Sequence, residues 1–170
     1  ALTDIDLSAM RDAHEANVAK GSIATLATKR VDDTTQFGVV ITDDEGRIQG
    51  FQEKPDPAEA LSDMANCGIY MFRREIFDHF PPPDHKSPAG DDDQPPGFVD
   101  WALDVFPALL DGDIPFYSHE IDAYWNDIGS VSEFVQGNLD ALAGAVGIDP
   151  PEGEVSAGIY AGAGSDLDAV

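Results

Sequence analysis

The chain is poor in positive charge. Nine Lys and Arg stand against 33 Asp and Glu in 170 residues, a formal net charge of −24 at pH 7. Such a field repels nucleic acid, which is held by clustered Lys and Arg, so DNA and RNA binding are excluded. Cysteine is scarcer still: Cys67 stands alone, so an internal disulfide is ruled out and a reducing, cytoplasmic compartment is expected. In a strand context its thiol reads as a small apolar core residue and not as a nucleophile. No run approaches the ~20 apolar residues of a membrane span, and no charged-then-apolar leader pattern opens the sequence, so no membrane partner is expected. A glycine-rich phosphate loop is also missing. Gly162 and Gly164 form a Gly-Ala run without the strand-to-helix context that such a loop requires.

What is present suffices for one real core, with 42% hydrophobic and 25% charged residues. The pattern predicts mixed α/β structure. Residues 7–20 have helical spacing with Asp6 as cap, and the β-branched run 23–28 reads as a strand. Residues 37–53 alternate apolar and polar on both sides of Asp44-Glu45-Gly46, which predicts a hairpin. A polar loop or short helix follows over 56–64, a strand over 67–72, and one or two helical turns over 74–80.

Residues 81–97 hold six prolines and lack apolar periodicity, the composition of a disordered surface insertion. The acidic run Asp91, Asp92 and Asp93 reads there as solvated charge and not as a metal cluster. Residues 98–110 return to helical spacing, with Pro107 expected to kink the helix. A strand over 114–120 leads to an aromatic turn, and then to a helix over 131–142 capped by Ser130 or Ser132.

Three segments carry chemistry. The hairpin ends in Glu53-Lys54-Pro55, so an anion and a cation leave the sheet together where Pro55 stops the strand. A carboxylate beside an ammonium suits a ligand with hydroxyls at one end and a phosphate at the other, although an exposed pair of this kind contributes under ~1 kcal/mol to stability. Asn66-Cys67-Gly68 opens an apolar strand with an amide and a glycine. Tyr124-Trp125-Asn126-Asp127-Ile128-Gly129-Ser130 sets one carboxylate in an aromatic turn before a helix. The bland readings are strand packing for Gly38 and Gly68, and helix capping for Asp127. None of the four histidines falls in a motif.

In this order, with Phe37-Gly38-Val39-Val40 before them, these segments resemble the sugar-1-phosphate nucleotidyltransferases, the nucleotide-sugar pyrophosphorylases of the mannose-1-phosphate guanylyltransferase and glucose-1-phosphate type. The resemblance spans residues 4 to about 145 and implies the C-terminal, sugar-binding part of a Rossmann-like α/β domain with a mixed sheet over 1–145. Residues 146–170 would then form a linker and the start of a left-handed β-helix, although a plain Gly-Ala tail fits the same composition. Such enzymes join a nucleoside triphosphate to a sugar 1-phosphate, releasing pyrophosphate, with Mg²⁺ as cofactor and room for a homo-oligomer.

By position, the resemblance implies that Glu53 accepts sugar hydroxyls and Lys54 binds the sugar's phosphate. Asn66 and Gly68 line the ring, Gly38 lets backbone approach it, and Asp127 ligates the metal across a common cleft from Lys54. The glycine-rich nucleotide-binding segment of the family is not in this sequence, so a fragment of a longer protein, inactive alone, is expected. A non-catalytic regulatory subunit that keeps the sugar pocket is the alternative.

The acidic excess also predicts adaptation to high salt, because screening relieves self-repulsion. The melting temperature should rise by several degrees between low and molar salt; a flat or falling series would remove the idea.

Overall fold

The computed structural model describes residues 1–88, 95, 97–149, 154–156, 159–162 and 164. In chain order these form β1 (Leu2–Thr3), α1 (Leu7–Val18), β2 (Ala24–Arg30), β3 (Gly38–Thr42), β4 (Ile48–Glu53), β5 (Met64–Phe72) and a 3₁₀-helix (Arg74–His79). A π-helical turn (Trp101–Val105) then runs into α2 (Phe106–Asp111), followed by β6 (Tyr117–Glu120), β7 (Trp125–Asn126), α3 (Val131–Leu142), β8 (Glu154–Ser156) and β9 (Ile159–Tyr160). They divide into two units, Asp6–Ile121 and Ala1–Ile5 with Asp122–Val170. None of the described helices is long and apolar enough to cross a membrane.

The unit Asp6–Ile121 is built on a mixed five-stranded sheet in the order β4-β3-β5-β2-β6, with β2 and β6 parallel and the other neighbours antiparallel. β2 sits inside the sheet, and Ala24, Thr25, Leu26, Ala27 and Thr28 are all fully buried. Alternation sends these side chains to opposite faces, so a strand buried throughout needs a layer on each side. On one side is α1, which starts at Asp6, whose carboxylate accepts the Ser8 and Ala9 N–H groups. It buries Met10 and brings His14 Nδ1 to 2.9 Å from Thr25 Oγ1. On the other side Ala24, Leu26, Val40 and Ile48 pack with Ile76, Val105, Phe106, Leu109 and Phe116.

Three elements depart from the sequence reading. The strand expected over 67–72 begins at Met64 and carries a bulge, and the strand expected from residue 114 is regular only from Tyr117. The kinked helix over 98–110 is instead a π turn that passes into an α-helix. Pro107 has no N–H to bond the Leu103 carbonyl, so the regular ladder fails there. The Phe106 N–H bonds the Trp101 carbonyl five residues back instead. His85 lies within the stretch read as a disordered insertion, yet its Nε2 is 2.7 Å from Asp104 Oδ1; Asp91, Asp92 and Asp93 lie outside the described residues.

In the second unit β1 pairs antiparallel with β7, and the Asp4 carboxylate accepts the N–H groups of Tyr124 and Gly147, both at 2.7 Å. Tyr124 donates its hydroxyl to Asp140 at 2.6 Å, fixing α3 to the aromatic turn. Ser130 caps α3 by accepting the Glu133 N–H. Val131, Phe134, Val135 and Leu139 lie along one side of α3, and each is more than half exposed. In the tail the described residues form only the short antiparallel pair β8–β9. Most of the stretch read as a β-helix lies outside the described residues.

Burial holds His14 below the usual histidine range against the opposing charge of Glu15, and Arg73 lowers it further. His119 is lowered by burial in the same way, opposed by Asp6. Unfolded imidazoles protonate near pH ~6.5, at which point the native ones still resist. Stability is therefore whole above that value and falls as pH drops through it. Denaturation midpoints should decline between pH 8 and 5, and His14→Asn should shrink the decline by removing one of the two groups.

Candidate functional site

The hairpin fixes the first part of the site by register. Gly38 stands opposite Glu53, and cross-strand partners project from the same face. A β-carbon on Gly38 would lie only 3.1 Å from Glu53 Oε2. The carboxylate thus occupies the space that any other residue at position 38 would fill. Beyond Glu53 the chain turns sharply, for Lys54 has φ +45° while its N–H donates to the Phe37 carbonyl at 3.0 Å. A lysine in the left-handed region is uncommon and costs on the order of 1 kcal/mol. Its Nζ lies 3.7 Å from Glu53 Oε1, with both side chains more than half exposed, so the pair adds little stability.

The second part comes from the bulge in β5. Leu26 pairs with Tyr70 but Thr28 pairs with Asn66, so three residues of β5 face one of β2. Gly68 sits in this bulge at φ +70°, with open space where a side chain would project. The Asn66 amide braces it by accepting the Gly68 N–H at 3.1 Å and donating to the Tyr70 hydroxyl at 3.1 Å. Between them Cys67 points into the core, where burial pushes its thiol up to about 12 and removes it as a nucleophile.

These parts meet around a cavity of ≈ 460 Å³, a volume suited to a small ligand. Gly38, Glu53, Asn66 and Gly68 all line it, and Lys54 follows Glu53 outside the lining. Leu103, Pro107 and Leu110 supply an apolar wall, and Phe51, Gln52, Tyr70 and Ala102 complete the lining. Among the described residues, Glu53 is the sole formally charged one in the lining.

Sequence reasoning missed the wall. Its signal was the pair Asp100 and Asp104 ahead of Pro107. Asp100 Oδ1 accepts the Ala102 and Leu103 N–H groups, and Asp104 Oδ2 accepts the Asp100 N–H at 2.7 Å. This is a reciprocal cap with a spacing of four in place of the usual three, as suits the wider π turn.

Asp127 belongs to the other unit. It is exposed, and its Oδ1 accepts the Gly129 N–H at 3.1 Å. Ser130, not Asp127, supplies the helix cap. The neighbouring Ile128 has φ +56° and donates its N–H to Asn126 Oδ1 at 2.7 Å; a β-branched side chain there marks real backbone strain. Among the described residues no three His, Cys, Asp or Glu side chains converge as a metal cluster. One exposed carboxylate is nevertheless compatible with Mg²⁺, which takes one or two protein carboxylates and completes its shell with water and phosphate oxygens.

The profile of the nucleotidyl transferase family matches residues 1–144. The chain belongs to this family, and within it to the sugar-1-phosphate nucleotidyltransferases. It is 38% identical over 165 residues to a UTP–glucose-1-phosphate uridylyltransferase of Synechocystis, covering 95% of this chain and 38% of that protein. It is 35% identical to a mannose-1-phosphate guanylyltransferase of Mycobacterium tuberculosis, covering 84% of this chain and 35% of the other. The chain thus spans little more than a third of these relatives. The fold is shared with apo UDP-glucose pyrophosphorylase, at a TM-score of 0.54 and 18% identity over 80% of this chain and 48% of that one. It is also shared with a Bacillus anthracis structure provisionally assigned as a glucose-1-phosphate thymidylyltransferase, at a TM-score of 0.59 and 22% identity over 88% and 53%.

The two glycines should respond differently to alanine. In Gly38→Ala the fold is expected to hold while the Glu53 carboxylate moves by a few tenths of an ångström, visible in a crystal structure. In Gly68→Ala no atom is displaced, and the cost is backbone strain of about 1 kcal/mol, read by chemical denaturation.

Proposed function

We propose that this chain supplies the sugar-phosphate-binding part of an enzyme that transfers a nucleotidyl group from a nucleoside triphosphate to a sugar 1-phosphate. The observation that carries the reading is the cavity whose edge holds Gly38, Glu53, Asn66 and Gly68 with Lys54 beside it, in a chain of this family.

Each side chain then has a chemical task. Glu53, acceptor only when ionised, takes hydrogen bonds from ring hydroxyls, and Asn66 adds a second polar contact already oriented by Tyr70 and Gly68. Phe51, Tyr70 and Leu103 offer the ring's C–H faces an apolar surface that excludes water. Lys54, turned out of the strand by its left-handed backbone, pairs with the sugar's phosphate as a mobile point charge.

The phosphate oxygen is the nucleophile toward the α-phosphorus, and pyrophosphate leaves. Because that oxygen is already anionic near neutral pH, no protein base is required. The protein's contribution is alignment and neutralisation of two polyanions that repel each other. Asp127 would hold Mg²⁺, which when bound supplies further charge neutralisation at the phosphates.

Titration of the 170-residue chain with glucose 1-phosphate and mannose 1-phosphate tests the binding roles. Lys54→Ala should weaken either by more than about tenfold while leaving the unphosphorylated sugar unaffected. In a pyrophosphate-release assay on the full-length gene product, Lys54→Ala and Asp127→Ala should each lower turnover by about a hundredfold. Unchanged turnover in both variants rejects the assignment.

A further inference from the structure

One buried charge has no part in the chemistry above. The Asp104 side chain is 1% exposed, and a carboxylate so removed from water requires several donors. It has three: His85 Nε2 at 2.7 Å, the Asp100 N–H at 2.7 Å and the Ser87 hydroxyl. Burial pushes its pKa up, but these bonds more than offset that and hold the carboxyl below its usual range.

Two of the donors come from residues 81–88. This stretch is anchored again where Gly97, at φ +78°, passes the Pro83 carbonyl so closely that a β-carbon would lie 3.3 Å from it. Asp104 therefore joins an outlying segment to the reciprocal cap that shapes the π turn, and Ala102 and Leu103 of that turn line the cavity.

We propose that His85 is a positioning residue: by bonding one oxygen of Asp104 while the other holds the Asp100 N–H, it fixes the π turn and sets Leu103 against the ring of the bound sugar. The first half concerns the wall alone, and the last step rests on the reading of the cavity as a sugar-phosphate site. A positioning residue here differs from a merely structural one in its selectivity. Contacts to the ring depend on the wall, whereas a bare phosphate at Lys54 does not reach it.

The test uses the 170-residue chain with His85→Ala and His85→Gln, the latter keeping an N–H donor that can reach Asp104. In His85→Ala, amide hydrogen exchange at Ala102 and Leu103 should quicken by about tenfold, the scale of one lost charge-assisted hydrogen bond, and His85→Gln should restore most of the protection. Affinity for glucose 1-phosphate should fall about tenfold while that for inorganic phosphate stays constant.

Unchanged exchange in His85→Ala overturns the inference whatever the chain binds. Equal losses for glucose 1-phosphate and inorganic phosphate overturn the wall's role in holding the ring. If the unaltered chain binds no sugar phosphate, the reading of the cavity falls, while faster exchange in His85→Ala still establishes the hold of His85 on the turn.

Discussion

The unit Asp6–Ile121 depends on the burial of Phe106. This fully buried ring lies 5.5 Å from Phe51 and 6.0 Å from Phe116 in stacked arrangements, and meets Tyr70 edge-on at 5.3 Å. Phe51 belongs to the hairpin and Tyr70 to the bulged strand, while Phe106 opens the helix that carries Pro107 and Leu110. One side chain thus sets the distance between the polar edge of the cavity and its apolar wall. Aromatic contacts of this kind add ~1 kcal/mol each beyond area burial, and truncation of a core Phe costs ~3–5 kcal/mol. The rigidity of the site is therefore borrowed from the core.

The polar edge illustrates how a weak interaction can sit in a strongly determined place. The Glu53–Lys54 pair is too exposed to hold anything together, yet both positions are over-determined by backbone geometry. Glu53 is fixed by its register with a glycine, and Lys54 by a main-chain bond to Phe37 and a left-handed turn. On the proposed sugar-phosphate reading, strain held by surrounding structure at a solvated ion pair pre-organises that pair for its ligand.

Most of this was legible in the sequence. Alternation and an Asp-Glu-Gly turn specify the hairpin, the Asp6 and Ser130 caps mark two helix starts, and the ordered motifs point to the family and to four residues of the cavity lining. The rest depended on tertiary context. The β5 bulge needs the neighbouring strand before its two extra residues have meaning, although Gly68 was its local trace. The π turn hides under an ordinary apolar periodicity, because Asp100, Asp104 and Pro107 matter through hydrogen-bond bookkeeping and not through hydrophobicity. His85 carried no signal at all. Its surroundings are rich in proline and poor in apolar residues, and what holds it is a single buried carboxylate nineteen positions away.

The apolar stripe on α3 gives the acidic surface a second meaning. Phe134 and its neighbours present to water the kind of face that normally finds a cover, and little in the helix itself discourages two such faces from meeting. Long-range repulsion between strongly anionic molecules does discourage it. As pH approaches the pI of about 4.1 and carboxylates take up protons, that barrier lapses while the stripe stays unchanged. Behaviour in acid then depends on this one exposed helix face as well as on the stability that His14 and His119 withdraw.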